Sequence, residues 1–325
     1  MTIESQPKYL PLVTLVIPVF NEESNIEPLH TEIARIAGAL ANEYRFEFLF
    51  TDNCSTDRTF ELLLERSETD HRIRVLRFSR NFGFQRSILT GYTNARGEAA
   101  IQLDADLQDP PSLIPQMLEK WRLGYDVVYG VRRKRAENPA LLAARNLFYR
   151  LVDSMSEHGA PRGAGDFRLV SRRVLDVLTK IEGSVPYIRG TISEIGFKQV
   201  GIVYDRDPRR AGASKFSLGK LVSFALDAII NQSTLPLRIS GYVAALIGLL
   251  SVLAIFVYGA LYLINGSSWP TGFATLALLV LVSMFINSLF FAVIGAYIGQ
   301  MYLQAKGLPI SIIDQTIDHN KDIKP

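Results

Sequence analysis

Two stretches of this chain, Ile239–Ile264 and Phe273–Leu303, contain no Asp, Glu, Lys or Arg. Each is longer than the roughly 20 residues with which a helix crosses about 30 Å of hydrocarbon. Only Asn265–Gly272 lies between them, enough for a tight turn, so the sequence predicts a two-helix transmembrane hairpin. A pair of buried core helices is the competing reading, but uncharged stretches of this length are rare in soluble folds. The turn has no Lys or Arg, whereas Arg238 precedes the first stretch and Lys306 follows the second. The positive-inside rule then places both termini in the cytoplasm, and the expectation is a multi-pass protein of the inner (plasma) membrane.

Ahead of residue 236 the composition is different: charged residues are scattered throughout, and the segment is long enough for one sizeable α/β core. Met1–Lys8 is polar, and the apolar run Leu10–Phe20 is short and broken by Pro11 and Pro18, so it reads as a strand and not as a secretory signal. The single cysteine, Cys54, excludes an internal disulfide and suits a reducing compartment. A net charge of +3, with no basic run interleaved with aromatics, gives no case for nucleic acid.

Short β-branched and aromatic runs recur at Val13–Val19, Phe46–Thr51, Ile73–Phe78, Ala99–Leu103 and Asp126–Tyr129, with helical periodicity near 24–41, 56–68, 84–95 and 111–123. Alternating strand and helix predicts a mostly parallel sheet with helices on both faces, and ligands bind such sheets beyond the carboxyl ends of the strands. Those ends carry Asn21-Glu22-Glu23, Asp52-Asn53, Arg80-Asn81 and Asp104-Ala105-Asp106. Any one of these clusters could be turn or cap chemistry; four on one rim point to a site. No G-x-G-x-x-G or G-x-x-x-x-G-K-[ST] is present to cradle phosphates. Asp104 and Asp106, two apart at a strand end, can project to the same side, and two hard oxygen donors suit Mg2+ or Mn2+ bound together with a diphosphate.

The runs Ile17-Pro18-Val19-Phe20-Asn21-Glu22-Glu23, Thr51-Asp52-Asn53-Cys54-Ser55-Thr56-Asp57, Arg80-Asn81-Phe82-Gly83 and Asp104-Ala105-Asp106-Leu107-Gln108-Asp109-Pro110-Pro111 follow in an order and spacing that resemble the family 2 glycosyltransferases of GT-A fold. Among these the chain is similar to the polyprenyl-phosphate hexosyltransferases, the branch of bactoprenol glucosyltransferases and dolichyl-phosphate mannose synthases. The resemblance implies that Pro18, Asn21, Glu22 and Asp52 hold the nucleoside, and that Asp104, Asp106 and Gln108 organise the metal and the diphosphate. It departs from the family at Thr51, Asn53 and Cys54, where Asp or Gly is frequent. Gly163-Ala164-Gly165-Asp166-Phe167-Arg168 resembles the second acidic motif of the family, with Asp166 near the acceptor as general base or as an orienting group.

A phosphate acceptor needs cations, and two basic clusters supply them: Arg132 and Arg133 after the fifth strand, and Arg209, Arg210 and Lys215 ahead of an amphipathic stretch. A solvated or lipid-attracted basic patch is the alternative for each. The expected organisation is a catalytic domain over 1–216, an interfacial helix over 217–235, the hairpin over 236–305 and a cytoplasmic tail over 306–325. The expected reaction is inverting, metal-dependent transfer of a hexose from a UDP-sugar, UDP-glucose by resemblance, to undecaprenyl phosphate, with GDP-mannose as the alternative donor. A non-catalytic membrane scaffold is the contrasting reading. Two spans enclose too little path for lipid transport, so a separate flippase is expected, and the sequence leaves a homo-oligomer open.

Overall fold

The computed structural model describes residues 9–133, 164–180, 188–205, 272–305 and 309–319, with further helical positions between 242 and 264. The chain divides into two compact units: residues 217–306 with a short piece around 149–157 form one, and the rest, including residues 307–325, forms the other.

The first unit is built on β1 (Leu12–Val19), an almost wholly apolar strand with every residue buried. Such a strand is stable only at the centre of a sheet covered on both faces. It pairs in parallel with β2 (Arg45–Asp52) on one side and β4 (Ala99–Gln102) on the other, while β3 (Ile73–Phe78) adds in parallel to β2. Side chains alternate along β1. Val13, Leu15, Ile17 and Val19 meet α1 (Glu23–Ala39) and α4 (Ile114–Arg122) through Ile26, Leu29, Ile33, Ile114 and Met117. Val16 points the other way, to α3 (Phe84–Asn94) and α5 (Arg172–Leu178), with Ile88, Leu89, Val174 and Leu175. A Cβ on Gly91 would overlap Val16, so α3 lies on β1 at a distance only glycine allows. Helix α2 (Thr59–Thr69) sends Leu63 into the first of these layers.

The remaining strands make the sheet mixed. β6 (Ala164–Ser171) runs antiparallel to both β4 and β5 (Val127–Arg132), and β7 (Gln199–Tyr204) lies parallel to β5 after α6 (Ile188–Glu194). The order across the sheet is β7-β5-β6-β4-β1-β2-β3-β8. The expected mostly parallel sheet with helices on both faces is thus present, with β6 and β8 reversed.

Strand β8 (Ile313–Asp318) comes from the far end of the chain, beyond the long helix α7 (Phe273–Ala305), and pairs antiparallel along β3. Asp318 anchors it: Arg96 reaches its carboxylate at 2.5 Å and Arg74 at 3.8 Å. Both guanidiniums also approach the buried Glu47 carboxylate, at 3.2 Å from Arg74 and 3.8 Å from Arg96. At the other end of β8 the Ser79 amide donates to the Ile312 carbonyl at 3.0 Å, and the Thr90 and Ser311 hydroxyls lie 2.7 Å apart.

In the second unit, α7 contains the window Val282–Gly299, which is long and apolar enough to cross a membrane and of which no residue is buried. The described positions between 242 and 264 are helical, and Leu249, Phe256 and Ile264 among them are exposed. The expected interfacial segment 217–235 lies outside the described residues.

Removing one carboxylate from the Glu47–Arg74–Arg96–Asp318 network leaves two guanidiniums on a single acid, and breaking a buried pair costs about 3–5 kcal/mol. Asp318→Ala should lower the melting temperature by about 6–20 °C on the scale of about 2–4 °C per kcal/mol. Asp314→Ala, at an exposed position of the same strand, should leave it unchanged; equal shifts in differential scanning fluorimetry would contradict the network's role.

Candidate active site

The carboxyl ends of β1, β2, β3 and β4 lie along one rim. Register brings Pro18 opposite Thr51 and Val19 opposite Asp52, so the turns after β1 and β2 are neighbours. They are stitched together by hydrogen bonds. The Asn21 amide donates to the Ser55 hydroxyl at 3.0 Å, the Thr56 amide to Asn21 Oδ1 at 2.8 Å, and the Glu22 amide to the Thr59 hydroxyl at 2.8 Å. Glu22 Oε2 accepts from Asn25 at 2.5 Å. Three non-glycine residues on this rim hold left-handed backbone: Asn21 (φ 55°), Cys54 (φ 61°) and Leu107 (φ 56°). For a residue such as Leu that conformation costs on the order of 1–2 kcal/mol, and its concentration at strand ends marks a site where geometry outranks stability.

Asp52 is wholly buried. Its Oδ1 accepts from the Ser55 amide at 3.1 Å and from the Ser55 hydroxyl at 2.5 Å. Oδ2 is buried without a hydrogen-bond partner, with Arg77 Nε at 3.6 Å. Burial, only partly offset by Ser55 and Arg77, pushes its pKa up. An acceptor kept out of water and left open costs free energy unless a ligand donor completes it. Next to it Asn53 ties this rim to the loop after β3, accepting from the Phe82 amide at 3.1 Å.

β4 ends at Gln102, so Asp104 and Asp106 belong to the turn that follows and are not alternate residues of one strand, as the sequence argument had them. The turn is shaped by Leu107 and by the Gln108 amide donating to Asp106 Oδ1 at 3.1 Å. Asp104 accepts from Gln102 Nε2 at 2.8 Å. Burial, and then the carboxylates of Asp109, Asp166 and Asp106, outweigh that bond and push Asp104 up to about 7. The Asp104 carboxyl is thus buried near three other acids, and a divalent cation would favour its ionised form. Among the described residues no three His, Cys, Asp or Glu converge into a cage. A cation here would take one or two carboxylates and fill its other positions with water and phosphate oxygens, the usual manner of Mg2+.

Asp109 is wholly buried and holds Arg132 Nη2 at 3.0 Å; the Tyr204 hydroxyl donates to its other oxygen, and Arg132 Nε donates to the same hydroxyl at 3.2 Å. Burial alone would depress Arg132, but the Asp109 carboxylate and Tyr204 hold its pKa above the ordinary value. The guanidinium is therefore fixed, and it lies against Gly165, the neighbour of Asp166. Arg133 instead forms an exposed pair with Asp205 at 3.1 Å. Asp166, on β6, is gripped on both oxygens by Arg189, with Nε to Oδ1 and Nη2 to Oδ2 each 2.7 Å. Arg209, Arg210 and Lys215 lie outside the described residues. Sequence reasoning passed over Asp109, Arg189 and Tyr204. Asp109 sat inside a motif already singled out, while Arg189 and Tyr204 offered no local pattern.

Residues 14–179 match the family model described as glycosyl transferase family 2. The chain belongs to glycosyl transferase family 2. Curated relatives extend the likeness across nearly the whole length. An uncharacterized glycosyltransferase of Bacillus subtilis (strain 168), YkcC, is 38% identical over 93% of this chain and 93% of its own. The prophage bactoprenol glucosyl transferase homolog of Escherichia coli (strain K12) is 34% identical over 93% of this chain and 98% of its own. The SfII prophage-derived bactoprenol glucosyl transferase of Shigella flexneri is 32% identical over 94% and 98%. The chain is a glycosyltransferase whose mixed sheet, with helices on both faces, is GT-A-like.

The Asp104 environment sets a pH dependence of this glycosyltransferase. Unfolded, the carboxyl titrates near 3.8; folded, near 7. Below about pH 4 both states carry the proton, and between there and about 7 only the unfolded state loses it, so this group's contribution falls as pH rises and is flat above. In metal-free buffer the melting temperature of the wild type should therefore decline relative to Asp104→Asn from about pH 4 to 7. A constant difference between the two would show that Asp104 is not strained by its neighbours.

Proposed function

We propose that this glycosyltransferase transfers a hexose from a nucleoside-diphosphate sugar, UDP-glucose in preference, to a polyprenyl phosphate at the cytoplasmic face of a membrane. The observation that carries the donor half is the rim itself: a buried open acceptor at Asp52 Oδ2 beside carboxylates crowded around Asp104. In this reading Asp52 Oδ2 receives an N–H of the base, and Pro18, Asn21 and Glu22 wall the nucleoside. Asp104 and Asp106, with Gln108 by family resemblance, would hold Mg2+ or Mn2+. Such a cation supplies Lewis-acid neutralisation of the departing diphosphate.

The acceptor half rests on the bactoprenol glucosyl transferase relatives and on the basic groups. A lipid monophosphate has a second pKa near 6 by analogy with phosphorylated side chains, so it is mostly a dianion at neutral pH. One of its oxygens forms the new bond to the anomeric carbon. The bond from that carbon to the diphosphate breaks with its electron pair leaving on the nucleoside diphosphate, and the configuration inverts. No proton has to be removed. What the chain must supply is positive charge: Arg132, preset by Asp109 and Tyr204, is suited to a phosphate, and Arg133, Arg209, Arg210 and Lys215 are the further candidates. Asp166 then orients hydroxyls of the sugar.

The membrane part of the reading is a hairpin of spans 239–264 and 273–303, preceded by an interfacial helix over 217–235. Connectivity supports it. The chain leaves the sheet after β7 and rejoins it as β8, so segments in between that cross a bilayer must do so an even number of times. Product transport is left to a separate flippase.

The test is transfer of radiolabelled sugar from UDP-glucose, and in parallel GDP-mannose, to undecaprenyl phosphate, with Mn2+ or EDTA. Lipid-soluble label from UDP-glucose alone, abolished by EDTA and lowered at least about 100-fold by Asp104→Ala, is expected. Label from GDP-mannose alone would move the protein to the mannosyl branch. No lipid product from either donor, with UDP still bound, would favour the scaffold reading.

A further inference from the structure

Asp166 and Arg189 meet in a geometry that neither the motif nor the transfer chemistry requires. Asp166 is the third residue of β6, between β4 and β5, and its carboxylate is close enough to Asp104 to raise that group's pKa. Arg189 comes from α6, a separate element placed by its own core contacts. Ile188 and Ile192 are buried with Val174, Leu175 and Leu178 of α5, and Gln199 at the start of β7 donates to the Ile192 carbonyl at 3.1 Å. The guanidinium thus arrives from a fixed support and meets the carboxylate side-on, two parallel bonds of 2.7 Å. A fork of this kind fixes both distance and rotation, which a single hydrogen bond does not. The Asp166 side chain is nearly buried, with 12% of its surface exposed, and both of its oxygens are already accepting.

We propose that Arg189 is a positioning residue for the transfer, locking the Asp166 carboxylate in the one orientation from which it holds a hydroxyl of the reacting sugar. The proposal rests on the transferase reading given above and deepens it. Arg189 acts through Asp166 and not on the substrates. With both carboxylate oxygens occupied by guanidinium N–H groups, Asp166 works as an aligned acceptor and not as a base that swings to collect a proton. This accords with an acceptor phosphate that carries no proton to give up. Misalignment of a group near the reacting carbon is felt in turnover more than in binding, since alignment within about 0.5 Å is what such a site supplies.

The experiment is a double-substitution cycle on the full-length protein. kcat and KM for UDP-glucose and undecaprenyl phosphate are measured for wild type, Arg189→Gln, Arg189→Lys, Asp166→Asn and the Arg189→Gln/Asp166→Asn pair. UDP binding and melting temperature are recorded for each. Arg189→Gln should lower kcat about 30-fold with the UDP-glucose KM within about twofold of wild type. Arg189→Lys, which keeps the charge but not the fork, should still lose about tenfold. In the Asp166→Asn background the same Arg189→Gln change should cost less than about threefold, because the group it positions is gone. Equal losses in both backgrounds would overturn the proposal, assigning Arg189 an independent contact with substrate. A loss confined to KM, or full activity in Arg189→Lys, would overturn it as well. Should Arg189→Gln not fold, the Lys variant alone and with Asp166→Asn gives the same cycle. Wild type inactive with both donors would instead sink the transferase reading, and this role with it.

Discussion

The parallel pairing of β1 with β2 and β4 is the constraint on which the rest depends. β1 is buried along its whole length, so it can sit only in the middle of the sheet, and its register fixes which residues stand at the strand ends. Val19 lies beside Asp52, and Val16 beside Gln102, two residues short of Asp104. Apolar burial in the layers above and below β1 thereby fixes where buried carboxylates emerge. The same packing carries the strain at Asn21, Cys54 and Leu107, since left-handed backbone persists only where its surroundings are over-determined.

Charge at the rim is organised in two ways. At Asp104 burial and neighbouring acids disfavour the ionised carboxyl, which a cationic ligand would favour. Around Asp109 and Asp166 each carboxylate is matched to an arginine, so the energy is spent on geometry. Placing open and satisfied acids side by side separates a locus for binding from the supports that hold its neighbours still. Tyr204 belongs to the second group: its ring packs edge-on to Phe167 at 6.1 Å and its hydroxyl serves the Asp109–Arg132 pair.

The sequence was most legible where structure is local. The five strands from β1 to β5 and the helices between them follow from apolar runs and periodicity, because each buries a face against its immediate neighbours in the chain. Family motifs located Asp52, Asp104 and Asp166. What could not be read is non-local. Ile313–Asp318 carries charges and a glutamine, and only β3, some 240 residues earlier by position, turns it into a strand. Arg189 and Tyr204 sit in stretches without a motif, and their partners come from other strands. Asp104 and Asp106 stand in a turn and not at alternate strand positions because β4 ends at Gln102, an end that the apolar run through Leu103 does not reveal.

The return of the chain as β8 bears on the order in which the molecule is made. Ile313–Asp318 joins a sheet whose other described strands lie before residue 205. A ribosome adding residues from the amino end produces β1 to β7 first, then the long apolar segments, and only afterwards the strand that covers β3. Until then β3 has an open hydrogen-bonding edge, and Arg74 and Arg96 lack the Asp318 carboxylate. The enzyme therefore cannot mature in step with its synthesis. β8 is made last, after the apolar residues of the second unit, so the described sheet that bears the active rim is completed only once those residues exist.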